Sequence, residues 1–232
     1  MATGVGVAVP PAVVTYSAAT NTPASATVMD VATTTLELLA TTTPAATQPV
    51  SQRSDVPMHS SAKAVEPYHR VPFYSQFTDI SDPAWRGVGC GIASVAMLID
   101  YYSDKPVNVD VLLATGRKAG AFLPDAGWTH AGLIDLARPY GLTGVTTGLS
   151  HLSMAEAFAA LRSAVAAGPV MVSVHYTFDR SNPIPHLAVI TGIDDTLVYY
   201  NDPAEPAGEN SLSIAQFQSA WKQRYIAFAP AT

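Results

Sequence analysis

Cys90 is the only cysteine in a chain of 232 residues, and it stands between Gly89 and Gly91 where a long apolar run begins. Residues 90–102 read as a helix, which puts the thiol at its N-terminus. That end carries a partial positive charge and unpaired N–H groups, and both favour the thiolate, the nucleophilic form of sulfur. Glycine on either side would leave the sulfur open to an approaching acyl carbon. A solitary cysteine is more often a small buried hydrophobe, so the thiol gains meaning only with partners. Three candidates exist. His186 opens the apolar run His186-Leu187-Ala188-Val189-Ile190-Thr191-Gly192, so a strand would hold its ring rigidly as general base and acid for the thiol. Asp202, in Asn201-Asp202-Pro203, follows the next strand and lies one hairpin from His186. Its carboxylate would accept the Nδ1–H of the ring and fix the tautomer, although Asn-Asp-Pro also reads as an ordinary strand-ending turn. Gln76, fourteen residues ahead of Cys90, could join the Cys90 N–H as an oxyanion hole, where one donor is worth about 2.7–4 kcal/mol of barrier.

These four side chains meet only if the elements between them bring them together. Residues 71–74 read as a short strand, followed by a polar loop over 76–89. The run 90–102 is too continuously apolar for a surface helix and should be buried nearly all round. Asn108 can cap a second helix through Thr115, stopped by Gly116. A third helix spans 129–138, ended by Pro139 and Gly141. Ser153-Met154-Ala155-Glu156 is a capping box that opens a fourth helix ending before Gly168-Pro169. The pattern then turns to strands at 170–175, 187–191 and 197–200, with Asp194-Asp195 as a hairpin turn. Ser213 opens a last short helix through Trp221, and 225–228 supplies a final strand. Helices precede strands without regular alternation, so the class is α+β rather than a doubly wound parallel sheet.

Taken jointly, Val71-Pro72-Phe73-Tyr74-Ser75-Gln76, Gly89-Cys90-Gly91-Ile92-Ala93-Ser94, the run from His186 to Gly192, and Asn201-Asp202-Pro203 resemble the bacteriocin-processing (double-glycine) peptidase-like family. This is family thirty-nine of the cysteine peptidases, within the papain-like superfamily. Gly127-Trp128-Thr129-His130, Gly132-Leu133 and Tyr140-Gly141-Leu142 also resemble stretches of free-standing members. The resemblance covers residues 70–229. It implies a papain-like fold, with N-terminal helices packed on an antiparallel sheet, and cleavage of peptide bonds through an acyl-enzyme. Carried over by residue, it implies Cys90 as nucleophile, His186 as base and acid, Asp202 as orienter and Gln76 as oxyanion donor. Ile92 departs from the family, standing where many relatives carry proline. Pro183 and Pro185 crowd the approach to His186, which bears on substrate preference. The transporter segments that accompany some members are not found, so leader processing coupled to export is not implied.

Composition narrows the alternatives. Twelve Lys and Arg against eighteen Asp and Glu give a net charge of −6, a poor basis for binding nucleic acid through its phosphates. One cysteine excludes an internal disulfide and a multi-cysteine metal site. No unbroken apolar stretch reaches the length of a membrane span. No H-E-x-x-H motif or glycine-rich phosphate loop occurs, so neither metal nor cofactor is expected. Between residues 1 and 50 there are twelve Thr, eleven Ala and five Pro, with Asp30 and Glu37 as the only charges. Such a segment has little bulky apolar surface to offset the entropy of ordering. Residues 1–65 are therefore expected to be a disordered linker, and 66–232 a single peptidase domain acting as a monomer on a peptide or protein. A Thr/Pro-rich stalk favours a secreted or envelope-associated protein, although the basic start of a signal peptide is missing before Arg53. His130 is the second-ranked histidine, more readily explained by backbone contacts at a helix start. His175 reads as a core or edge residue, His59, His69 and His151 show no ligand spacing, and the three tryptophans read as core anchors. Two other functions use the same residues: a catalytically silent peptide-binding module, and an acyltransferase that passes the acyl group to an amine.

Overall fold

The computed structural model describes residues 68–232 of the chain. In chain order they form α1 (Pro83–Arg86), α2 (Cys90–Tyr102), α3 (Val109–Lys118), the short strands β1 (Phe122–Leu123) and β2 (Gly127–Trp128), and α4 (His130–Ala137). Then follow β3 (Leu142–Gly148), α5 (Met154–Ala167), β4 (Val170–His175), β5 (Pro185–Ile193), β6 (Leu197–Asn201), β7 (Asn210–Ser213), α6 (Ile214–Ala220) and β8 (Trp221–Pro230). Strands β3-β8-β4-β5-β6-β7 make a six-stranded sheet in that spatial order, antiparallel at every pairing. The class is α+β, as the order of elements predicts. The expected linker over 1–65 lies outside the described residues.

Helices cover both faces of the sheet, which explains why β4 and β5 are apolar almost without interruption. Successive residues of a strand point to opposite faces. Met171, Leu187, Val189, Ile226 and Phe228 face a core with α2, α3 and α4. Val170, Val172, Val174, Ala188, Ile190 and Val198 face a second core with α5 and α6. Helix α2 is the centre of the first core, with every residue from Gly91 to Ile99 buried. Its all-round hydrophobicity matches that position. Burying a side chain such as Ile92 or Leu98 in full contributes about 1.5–3 kcal/mol, so the helix carrying the thiol is held by its whole length.

Local sequence signals set most of the helix ends. Asn108 caps α3 by accepting from the Val111 N–H, and Ser153 and Glu156 complete the expected capping box of α5. Helix α3 does not stop at Gly116, however, and runs on to Lys118. Gly116 is an internal contact residue: a Cβ there would lie 2.8 Å from the Trp128 ring. Residues 71–74 form no strand either. The chain makes one antiparallel bridge, Tyr68 to Gly192, and the His69 N–H donates to the Thr191 carbonyl at 2.7 Å. Pro72 removes a ladder donor, and beyond the bridge the segment is held by a side chain, with Asn201 Nδ2 donating to the Val71 carbonyl at 3.0 Å.

Candidate active site

Cys90 is the first residue of α2, and its side chain is half-buried and unpaired with another cysteine. Gly89 at the cap offers no side-chain acceptor, so the N-terminal field of the helix is directed at the thiol. The flanking glycines are required by packing. A Cβ at Gly91 would stand 2.9 Å from the Trp128 ring, and one at Gly89 would meet Ile80 at 2.2 Å and the Trp85 carbonyl at 3.1 Å. Trp128 also donates from Nε1 to the Val88 carbonyl at 2.7 Å, which clamps the turn that leads into Cys90. It is buried, as expected of a core anchor.

The β5 strand begins with Pro185 and brings the His186 ring into the protein, 3 % exposed. His186 Nε2 donates to Asp202 Oδ1 at 2.5 Å. The Cys90 sulfur lies near enough for its charge to act on the His186 ring, and with Nε2 engaged by the carboxylate, Nδ1 is the nitrogen left to face it. The ring thus meets the carboxylate through Nε2 rather than through Nδ1 as expected. Burial pulls the imidazolium pKa down, but the Asp202 hydrogen bond and the charges of Cys90 and Asp202 outweigh it and push the pKa up to about 10.

Asp202 is fully buried just beyond β6. Its Oδ1 also accepts from the Ala204 N–H at 2.8 Å, so one oxygen pairs with the ring and closes an Asx turn. Its Oδ2 is buried without a partner. The same turn holds the fourth residue. The Gln76 N–H donates to the Pro203 carbonyl at 2.9 Å, and Gln76 Nε2 donates to the Arg86 carbonyl at 2.8 Å. Gln76 is 1 % exposed, and its Cβ stands 3.4 Å from where a Cβ would project at Gly89. Nε2 keeps a second amide hydrogen, and Oε1 is buried without a partner. The structure therefore brings together Cys90, His186 and Asp202, with Gln76 against the loop before Cys90.

Two further residues serve the arrangement. Tyr176, directly after β4, places its ring edge-on to His186 with centroids 4.9 Å apart. Its hydroxyl pKa is raised by burial and by the Asp202 and Cys90 charges. Ser94, one turn beyond Cys90, donates from Oγ to the Leu187 carbonyl at 3.3 Å and so pins α2 to β5 next to the histidine. Tyr176 follows an apolar strand in sequence, but nothing local marks either residue. Of the other histidines, His69 joins the Val165 carbonyl to the Tyr101 hydroxyl, and half-buried His175 has an unpartnered Nδ1. Among the described residues no group of three or more His, Cys, Asp or Glu is placed to hold a metal ion. Cavities of about 480 and 300 Å³ lie elsewhere, lined by neither the thiol nor the imidazole.

A helix-borne thiol facing a sheet-borne imidazole and carboxylate is the arrangement of the papain-like cysteine peptidases. The chain belongs to the Peptidase_C39 like family, whose model matches residues 68–227. It is 28% identical over 142 residues to the pediocin PA-1 transport/processing ATP-binding protein PedD of Pediococcus acidilactici, covering 61% of this chain but only 17% of that protein. Among solved structures it resembles a candidate C39-like peptidase from Bacillus anthracis, with 22% identity, a TM-score of 0.51, and coverage of 70% of this chain and 96% of that one. A double glycine motif protease from an AMS/PCAT transporter, solved with a leader peptide, matches with 20% identity and a TM-score of 0.51 over 72% of this chain and 96% of that one. Both structures share the fold. Family membership supports peptidase activity in general. No helix among the described residues is long and apolar enough to cross a membrane.

Proposed function

We propose that the protein is a thiol peptidase in which Cys90 is the nucleophile, His186 the general base and acid, Asp202 the orienter and Gln76 an oxyanion donor. The observation that carries this reading is the buried imidazole bonded to the Asp202 carboxylate with the Cys90 sulfur near enough to act on its charge. His186 Nδ1 takes the proton of the Cys90 thiol, leaving the thiolate. The thiolate attacks the peptide carbonyl carbon, a C–S bond forms, and the C=O π pair moves onto oxygen. That oxyanion accepts from the Cys90 N–H and from Gln76 Nε2. Collapse breaks the C–N bond as Nδ1–H protonates the leaving amine. Water then attacks the thioester, gives a proton to Nδ1, and releases the acid and the thiolate. Asp202 stays ionised and stabilises the imidazolium throughout.

The domain would comprise residues 66–232 and act as a monomer on a peptide or protein, and the Thr/Pro-rich start of the chain favours an exported or envelope-associated location. Replacing the nucleophile is the direct test. Cys90→Ala should abolish peptide hydrolysis while leaving the thermal midpoint within a few degrees, as expected for a half-buried site. Undiminished turnover by that variant would overturn the reading. Alkylation by iodoacetamide near pH 6 separates an enzyme from a silent binding module, because only an activated thiolate reacts quickly there.

A further inference from the structure

A second polar cluster lies on β4 and β8, the two strands next in the sheet to the His186 strand β5, and takes no part in the chemistry above. Ser173 on β4 lies opposite Leu187, next to the Val174–His186 pair, and Leu187 is the residue whose carbonyl accepts from Ser94. His130 opens α4 two residues after Trp128, the ring packed on Gly91. The two meet, with His130 Nε2 3.1 Å from Ser173 Oγ, and Arg224 joins them from β8, its Nε donating to the same oxygen at 3.4 Å.

The backbone is bent to make that contact. Strand β8 bulges against β4 between Tyr225 and Trp221, and within the bulge Gln223 adopts φ +49°. A non-glycine residue there is costly, of order 1–3 kcal/mol, and such strain gathers at functional sites. Bulges re-aim side chains, and this one directs Arg224 over Ser173. The exposed Arg224 uses Nε to orient itself, and its two terminal nitrogens meet no acceptor among the described residues. No described carboxylate pairs with Arg224 or with neighbouring Lys222, in a chain of net charge −6. Burial, together with the Arg224 charge, holds the His130 pKa down to about 4, so at neutral pH its ring is uncharged and can accept the Ser173 hydroxyl. The cluster thus presents an oriented guanidinium fork with no internal counter-ion.

We propose that Arg224, oriented by Ser173 and His130, is a specificity-determining subsite that binds a carboxylate of the peptide substrate. This rests on the peptidase reading for its substrate but not for its binding. A fork of this kind takes a carboxylate with two parallel hydrogen bonds, and the group is either an acidic side chain or a free C-terminus.

The test uses the full chain and paired peptides carrying Glu or Gln at each position around the cleaved bond, each made with a free or an amidated C-terminus. A carboxylate should raise kcat/KM by about tenfold or more at one position. That ratio should fall below about twofold in Arg224→Gln and be only partly kept in Arg224→Lys, which retains the charge but not the fork, with melting curves reporting that both variants fold. A Glu preference assigns the side chain, and an acid-over-amide preference assigns the terminus. The same pairs are titrated against Cys90→Ala by fluorescence anisotropy. If nothing is cleaved yet carboxylate peptides bind in an Arg224-dependent way, the peptidase reading fails and the subsite stands. A ratio near one in rate and in binding, or a preference undiminished in Arg224→Gln, overturns the subsite.

Discussion

The His186 ring holds its proton against its own burial, because a carboxylate bonds it and the charge of the Cys90 sulfur acts on it. Two consequences belong to this residue. The folded ring binds its proton more tightly than an unfolded histidine, so between pH 6.5 and about 10 the folded state holds the extra proton. Stability contributed by the pair is therefore complete below pH 6.5 and is lost as pH rises through that window. Asp202→Asn should flatten this decline in thermal midpoint against pH and should move the alkaline limb of activity to lower pH. An unchanged limb in Asp202→Asn would show that the carboxylate does not govern the imidazole. Gln76→Ala should lower kcat by about a hundred- to a thousandfold, with KM little altered, because an oxyanion donor acts only once charge develops. A loss confined to KM would remove Gln76 from that role.

At the scale of elements, the thiol is positioned by contacts between backbones and rings rather than by the residues beside it. Helix α2 can start where it does because Gly91 admits Trp128 and Gly89 admits Ile80. Gly91→Ala should cost about 1–3 kcal/mol through overpacking against Trp128, read as a lower midpoint in denaturant. If stability were untouched, Trp128 would not be the clamp on the Cys90 turn. Helices α2 and α5 were legible in the sequence because a continuous apolar run and a capping box are local signals. Strands β3 and β7 were not. Leu142-Thr143-Gly144-Val145-Thr146-Thr147-Gly148 and Asn210-Ser211-Leu212-Ser213 are the two edges of the sheet, where one residue of the eleven is buried and no alternation of apolar and polar residues is sustained. Residues 71–74 failed in the opposite sense. Their composition suits a strand, but the structure gives them a side-chain anchor in place of a ladder.

At the scale of the molecule, the six-stranded sheet is covered by helices on both faces, and among the described residues both cores are built from positions between Val71 and Phe228. The family match begins at residue 68. Removing residues 1–65 should therefore leave the thermal midpoint unchanged within a few degrees and peptide cleavage intact. A large loss of either would show that the N-terminal segment belongs to the folded unit. Read from sequence alone, this chain disclosed its class, its helical thiol and the types and order of the residues that would serve it, because capping, apolar periodicity and motif order are written in neighbouring positions. Which ring nitrogen meets the carboxylate, why glycines flank the sulfur, and how Arg224 comes to lie over Ser173 were decided only in three dimensions. Each depends on surfaces from segments far apart in the chain, and no local pattern encodes the direction in which such surfaces meet.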